Sequence, residues 1–225
     1  MKNLVQLVLI FVSLTFSAQH LELGKDKINL ESFKMPFDVN SFYKKQFELN
    51  KKTLELMEKD KMETPMFDKL MKQYKFVDGI TTIDVSDTKK LLLYEMKATN
   101  TRDTLAYFGN VKFQKLEMIS NQKNEFLSLR AVSNSFNDNK KNYEHLKSLL
   151  VNKFGNPQKI DSENFVEKEY FQWKTKDFVY ILSLKIETEN DVLKYYYSDL
   201  YLISAKDYEN LKANFGKIPV YWNLP

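Results

Sequence analysis

Apolar residues follow three rhythms along this chain. Leu4 to Phe16 is a nearly unbroken apolar run, interrupted by Gln6, Ser13 and Thr15. From residue 41 the spacing becomes helical. Tyr43, Phe47, Leu54 and Met57 recur at roughly three and four, with Asn40 or Ser41 as the expected cap. A second helical stretch, "ETPMFDKLMKQYKF", carries Phe67, Leu70, Met71 and Tyr74 on one stripe, with Thr64 as cap and Pro65 in the first turn. Asp78-Gly79 reads as the turn that ends this unit.

The period then falls to two. "ITTIDV", "KLLLYEMKA", "LAYFGNVKFQKLEMI" and "EFLSLRAVS" read as strands, with Gly109-Asn110 a bulge or a turn and "SNQKN" a polar turn. Past Gly109, Val111 and Phe113 alternate, as do Leu116 and Met118, with one slip of parity between the pairs. The clearest helix is "NDNKKNYEHLKSLLVNKFGNP". Tyr143, Leu146, Leu150 and Phe154 share a face, Asp138 or Asn139 is placed to cap, Gly155 supplies the C′ residue and Pro157 forbids continuation. "FVEKEYFQWKT", "FVYILSLKIET" and "VLKYYYSDLYLIS" then read as strands joined by short links, so as antiparallel hairpins. "SAKDYENLKANFG" predicts a last helix, with Ser204 and Asp207 at cap and N3 and Gly216 closing it.

This order predicts an α+β fold: an antiparallel β-sheet with helices packed on one side. A faint echo at an offset of 55 sets Leu116 and Met118 against Phe171 and Trp173, and "LSLR" against "LSLK". It suggests two tandem helix-then-strands units, 40–135 and 136–216, within a single domain over 20–225 that shares one sheet.

The N-terminal run fits a secretory signal peptide over 1–19. Lys2 is the only charge, the apolar stretch is too short to span a bilayer, and Ser17, Ala18 and Gln19 are small or polar. Cleavage after Ala18 or Gln19 is the expectation, with Gln19 favoured, so that His20 begins the mature chain. An exported product, periplasmic or extracellular, follows from that reading. No later run approaches membrane-spanning length, and without cysteine there is no lipid-anchor residue, disulfide or thiol chemistry. The formal charge is +4, and only Arg102 and Arg130 are arginine. Scattered lysines mixed with acids describe a solvated surface and argue against a nucleic-acid partner.

Candidate chemistry is sparse. The five glycines are too dispersed for a phosphate-binding loop, and no G-x-S-x-G or H-E-x-x-H motif occurs. No cofactor is expected. The sharpest enzymatic alternative is a copper-holding histidine brace of His20 and His145, as in lytic polysaccharide monooxygenases. A carboxylate hydrolase would draw on Glu167 with Glu169, Asp84 with Asp87, or Glu187, Glu189 and Asp191. "KYYYSDLYLI" is the most unusual strand. Tyr195 and Tyr197 share one face and Tyr196 takes the other, so Tyr196 beside Tyr170 or Trp173 is the candidate binding platform.

A helix ending in "KFGNP", followed by a strand with a tryptophan ("YFQWKT") and further apolar strands, resembles small periplasmic α+β domains. These are the BamE-like outer-membrane assembly group and the β-lactamase-inhibitor-protein-like group. The likeness covers roughly 110–204 and implies protein binding, with no functional residue carried over. The chain has neither the lipobox cysteine of the first group nor the disulfide cysteines of the second. The sequence therefore points to a non-enzymatic binding module that contacts a protein or envelope component through an open sheet face. The other readings are an enzyme or a carrier of an apolar small molecule.

Overall fold

The computed structural model describes residues 21–58, 76–86, 89–98, 103–135, 140–160, 169–189, 193–218 and 224. Two β-sheets and three α-helices account for most of them. Helix α1 (Val39–Glu58) precedes strands β2 (Phe76–Ser86), β3 (Lys89–Ala98), β6 (Lys115–Asn121) and β7 (Phe126–Ser135). Helix α2 (Lys141–Phe154) precedes β8 (Gln158–Ile160), β9 (Tyr170–Lys174), β10 (Phe178–Glu189) and β11 (Leu193–Ser204), and helix α3 (Tyr208–Lys212) follows. These eight strands form one antiparallel sheet in the order β2-β3-β6-β7-β11-β10-β9-β8. In chain order the strands of both series run from an edge of the sheet towards its centre. The last strand of each series, β7 and β11, therefore meet at the centre, with Arg130 opposite Tyr201. A small sheet of β1 (Ile28–Asn29), β4 (Ala106–Phe108) and β5 (Val111–Phe113) lies apart from it.

The large sheet buries apolar side chains on both faces. Alternation along each strand divides them into two cores. On the first face Met96, Leu116, Met118, Leu129, Ala131, Phe171, Trp173, Leu182, Leu200 and Leu202 pack with α1, α2 and the small sheet. The stripe Tyr143, Leu146, Leu150 predicted for α2 faces this core, and Phe33, Phe37, Phe42, Phe126 and Phe178 join it through tilted and edge-on ring contacts at 5.0–6.3 Å. The two long helices thus lie on one side, as the pattern predicts. The second core is smaller. Leu91, Leu93, Ile119, Leu127, Val179, Ile181 and Ile203 are covered by Tyr208 and Leu211 of α3 and by Phe215, Ile218 and Leu224.

Local chemistry explains where the boundaries differ from the pattern. Helix α1 is capped one turn earlier than expected: Asp38, not Asn40 or Ser41, accepts from the Ser41 backbone N–H at 2.9 Å and from its hydroxyl at 2.7 Å. Asp78-Gly79 is not a turn. It runs through β2, opposite Met96 and Glu95, because the ladder with β3 outweighs the local turn preference. Gly109-Asn110 is the turn between β4 and β5, with Gly109 at φ +56. The parity slip between Phe113 and Leu116 marks two separate strands. Gln114 bridges them, accepting from Ala98 N–H and donating its own N–H to Val132.

Helix α2 begins at Lys141 after Lys140, which makes no side-chain cap; Asp138 and Asn139 fall outside the described residues. Gly155 at φ +82 ends it as expected, its N–H bonding to the Val151 carbonyl. The last helix is only five residues long. Ser204 donates to Asp207 at 2.7 Å, but inside the turn before the helix, and Gly216 sits within a 3-10 turn instead of closing it. The helical stretch at 64–74 lies outside the described residues, as does the N-terminal run. Among the described residues, no helix is long and apolar enough to cross a membrane.

Candidate functional site: a charged network on the second sheet face

Helix α3 and the C-terminal segment cover one end of the second face. Toward the other end the same face carries Glu95, Glu117, Arg130, Asp199, Lys115, Lys97, Lys185, Tyr197, Tyr195 and Glu187, placed there by strand alternation and register. At its centre is an ion network across three adjacent strands. Arg130 Nη1 donates to Glu117 Oε2 at 2.8 Å, and Nη2 donates to Asp199 Oδ2 at 2.7 Å. Lys115 makes a second ion pair with Glu117. The carboxylate side chains are only 5% and 4% exposed, and the arginine 14%. The guanidinium also lies over the Tyr201 ring, 5.6 Å from its centroid.

The electrostatics follow from depth. Burial pushes the Asp199 carboxyl above its usual range, and Arg130 offsets this only in part. Burial alone would favour loss of the Arg130 proton, but Asp199, Tyr201 and Glu117 outweigh it and hold the guanidinium charged. Burial, reinforced by Asp199, raises the neighbouring phenols: Tyr170 to about 12, and Tyr201 well above its ordinary value. Two polar atoms of the network remain unsatisfied, Arg130 Nε and Asp199 Oδ1. Each unsatisfied buried group costs about 1–3 kcal/mol.

From this network the face opens outward along β10 and β11. Tyr195 and Tyr197 are half-buried. Lys185 pairs with Glu187 and holds its carboxyl below the usual range, and its ammonium approaches the Tyr197 ring at 6.0 Å. Large amphipathic rings sit beside paired opposite charges, a combination suited to a desolvated contact.

The residues singled out from the sequence are not brought together as one platform. Tyr170 is fully buried in the second core, and Trp173 is buried in the first, its indole N–H donating to the Gly155 carbonyl at 2.8 Å. Three residues apart on one strand, they point to opposite faces. Tyr196 shares the first face with Trp173. However, Trp173 is opposite Tyr180 and Tyr180 opposite Leu202, which leaves Tyr196 six residues along the strand, about 20 Å away. Tyr195 and Tyr197 do share the second face, as expected.

His145 is exposed and hydrogen-bonds Asn110 at the β4–β5 turn; His20 lies outside the described residues, so the brace has only one member on view. Glu169 is exposed and pairs with Lys159, while Asp84 pairs with Lys90. Glu167, Asp87 and Asp191 lie outside the described residues. The carboxylates that the fold does bring together, Glu117 and Asp199, were not among those singled out. Their signal was present: a lone arginine in "LSLR" and a lone aspartate in "YSDLYL" each interrupt an apolar strand, and buried opposite charges seek one another. Among the described residues, no group of three or more His, Asp or Glu side chains is placed to hold a metal ion. No protein-family model, curated protein or solved structure matches this chain.

Proposed function

We propose that this chain is an exported binding module that contacts a protein partner through the open half of the second sheet face. The observation that carries this reading is the row of half-exposed Tyr195 and Tyr197 beside Lys185, Glu187 and the edge of the Arg130 network. Tyrosine and arginine supply most of the binding energy at protein interfaces, because each buries large area while keeping a polar group satisfied. Mixed charges around them set register and reject wrong partners. The signal-like N-terminus is what favours a partner in the periplasm or outside the cell, as would the resemblance to small periplasmic protein-binding domains.

The test is affinity capture from the envelope and culture fluid of the native host. Wild-type protein is compared with Tyr195→Ala/Tyr197→Ala and with a control altered on α1, Lys44→Ala. A protein retained by wild type and control but lost by the double variant, with its fold intact by circular dichroism, supports the reading. Equal retention by all three refutes it. The mass of the exported chain checks the other half of the proposal, which expects His20 at the N-terminus.

A further inference from the structure

At the opposite end of the same face the structure has a recess of about 320 Å³. Three separate elements build it: the start of β3, the β6–β7 turn, and helix α3. Its floor is apolar, formed by Leu91, Leu127 and Leu211. Leu127 reaches that floor through a bulge. Ile119 faces Ser128 but Ser120 faces Phe126, so Leu127 has no cross-strand partner and turns to the second face. The rim is cationic. Lys89 and Lys123 border the recess against a single lining carboxylate, Asp207; Lys90 also lines it, but alternation with Leu91 and its ion pair with Asp84 take its ammonium to the first face.

The Asp207 carboxylate accepts from the Ser204 hydroxyl at 2.7 Å and pairs with neither Lys89 nor Lys123. Lys89 donates to the Asn210 side-chain carbonyl at 2.9 Å, a neutral contact that ties β3 to α3, and it has no carboxylate partner among the described residues. Lys123 makes no ion pair among the described residues; its loop is held by Asn121, whose side-chain carbonyl accepts from the Lys123 and Glu125 backbone N–H groups and whose amide donates to Glu125. Like charges gathered around one concave site repel one another, and an anion seated between them removes that cost. Gln122 and Asn210 on the rim can hydrogen-bond hydroxyls, and the volume is at the lower end of small-molecule sites.

We propose that this recess binds a small hydroxylated anion, a sugar acid or sugar phosphate, with its charged group between Lys89 and Lys123 and its ring on the leucine floor. The site is independent of the tyrosine face and stands or falls separately from it.

The test titrates full-length protein with glucuronate, glucose 6-phosphate, inorganic phosphate and glucose, followed by amide chemical shifts. Lys89→Met/Lys123→Met is the variant, and Lys44→Met/Lys52→Met, two exposed lysines of α1, the charge-matched control for general electrostatics. The expected result is saturable binding of glucuronate or glucose 6-phosphate with shifts at residues 89–91, 121–123 and 207–211. It should weaken at least tenfold in the double variant, weaken with added salt, and stay unchanged in the control. Whichever of the two binds tighter assigns carboxylate or phosphate. Glucose binding as well as glucuronate, inorganic phosphate binding as well as glucose 6-phosphate, full binding by the double variant, or no saturation by either sugar anion would each overturn the proposal.

Discussion

Replacing Arg130 with methionine tests the central network. The substitution keeps most of the side-chain volume and removes the cation between Glu117 and Asp199. Glu117 retains Lys115, whereas Asp199 loses the guanidinium that donates to it, leaving a carboxylate 4% exposed. Removing one member of a buried ion pair costs about 3–5 kcal/mol, chiefly the penalty of the charge left behind. For a chain of this size, with a urea slope of about 3 kcal/mol per molar, the midpoint falls by about 1–1.7 M. The loss depends on pH. Asp199 already binds its proton more tightly in the folded chain than in the unfolded one, and Arg130 is the main group opposing this. Below the ordinary carboxyl range the group is neutral in both states and costs nothing. As the pH rises through that range the unfolded chain ionises first, so stability falls, and it falls further without Arg130. The gap between wild type and variant therefore narrows from pH 7 to pH 4, and adding Asp199→Asn to Arg130→Met recovers at least about 1 kcal/mol at pH 7. Urea unfolding at the two pH values measures both effects. A loss below about 1 kcal/mol at pH 7, or a gap that does not change with pH, refutes the reasoning.

Four other outcomes are expected. Leu150→Ala, fully buried in the first core, lowers stability by about 2–5 kcal/mol in urea unfolding, while Tyr197→Ala on the open face changes it far less. Gly109→Ala destabilises by about 1–3 kcal/mol, since the residue sits at φ +56 and a Cβ there meets Leu149 Cδ1 at 2.7 Å; a neutral result would show that the β4–β5 turn shifts freely. Trp173→Phe removes the bond to Gly155 and costs about 1 kcal/mol beyond the lost area, read as a lower thermal midpoint. Tyr170 and Tyr180, both pushed up to about 12 by burial, make stability decline from about pH 10 towards 12, because the unfolded phenols ionise first; ultraviolet titration detects them as late-ionising groups.

Much of the architecture is legible from periodicity alone. The stripe Tyr143-Leu146-Leu150 with its Gly155 stop reflects burial on one side of a helix, and the apolar runs of β10 and β11 reflect burial on both faces of the sheet; each leaves its mark in sequence. Asp78-Gly79 misleads because a turn preference is worth less than a full ladder of cross-strand bonds. Strand β8, three residues long and mostly exposed, has too little pattern to be read. The candidate sites are harder still. Tyr170 and Trp173 look like surface aromatics until register sends them into separate cores. Glu117, Arg130 and Asp199 are distant in sequence and meet only because β6, β7 and β11 are neighbours. Which strands become neighbours is a long-range outcome that no local window contains.

The meeting of β7 and β11 at the middle of the sheet bears on how the chain assembles. Each of the two strand series can pair through short connections, but each then ends in a strand with one bare edge. The contact that joins them spans 69 residues from Arg130 to Asp199, so its closure costs more chain entropy than a hairpin within either series. Until it closes, each edge is a template for a second copy of itself: two β7 strands, or two β11 strands, related by a two-fold axis would offer the same antiparallel geometry. The charged network guards against that substitution. An arginine brought against a second arginine, or an aspartate against a second aspartate, finds repulsion where the correct seam finds an ion pair, so the costly buried charges also select which edges close.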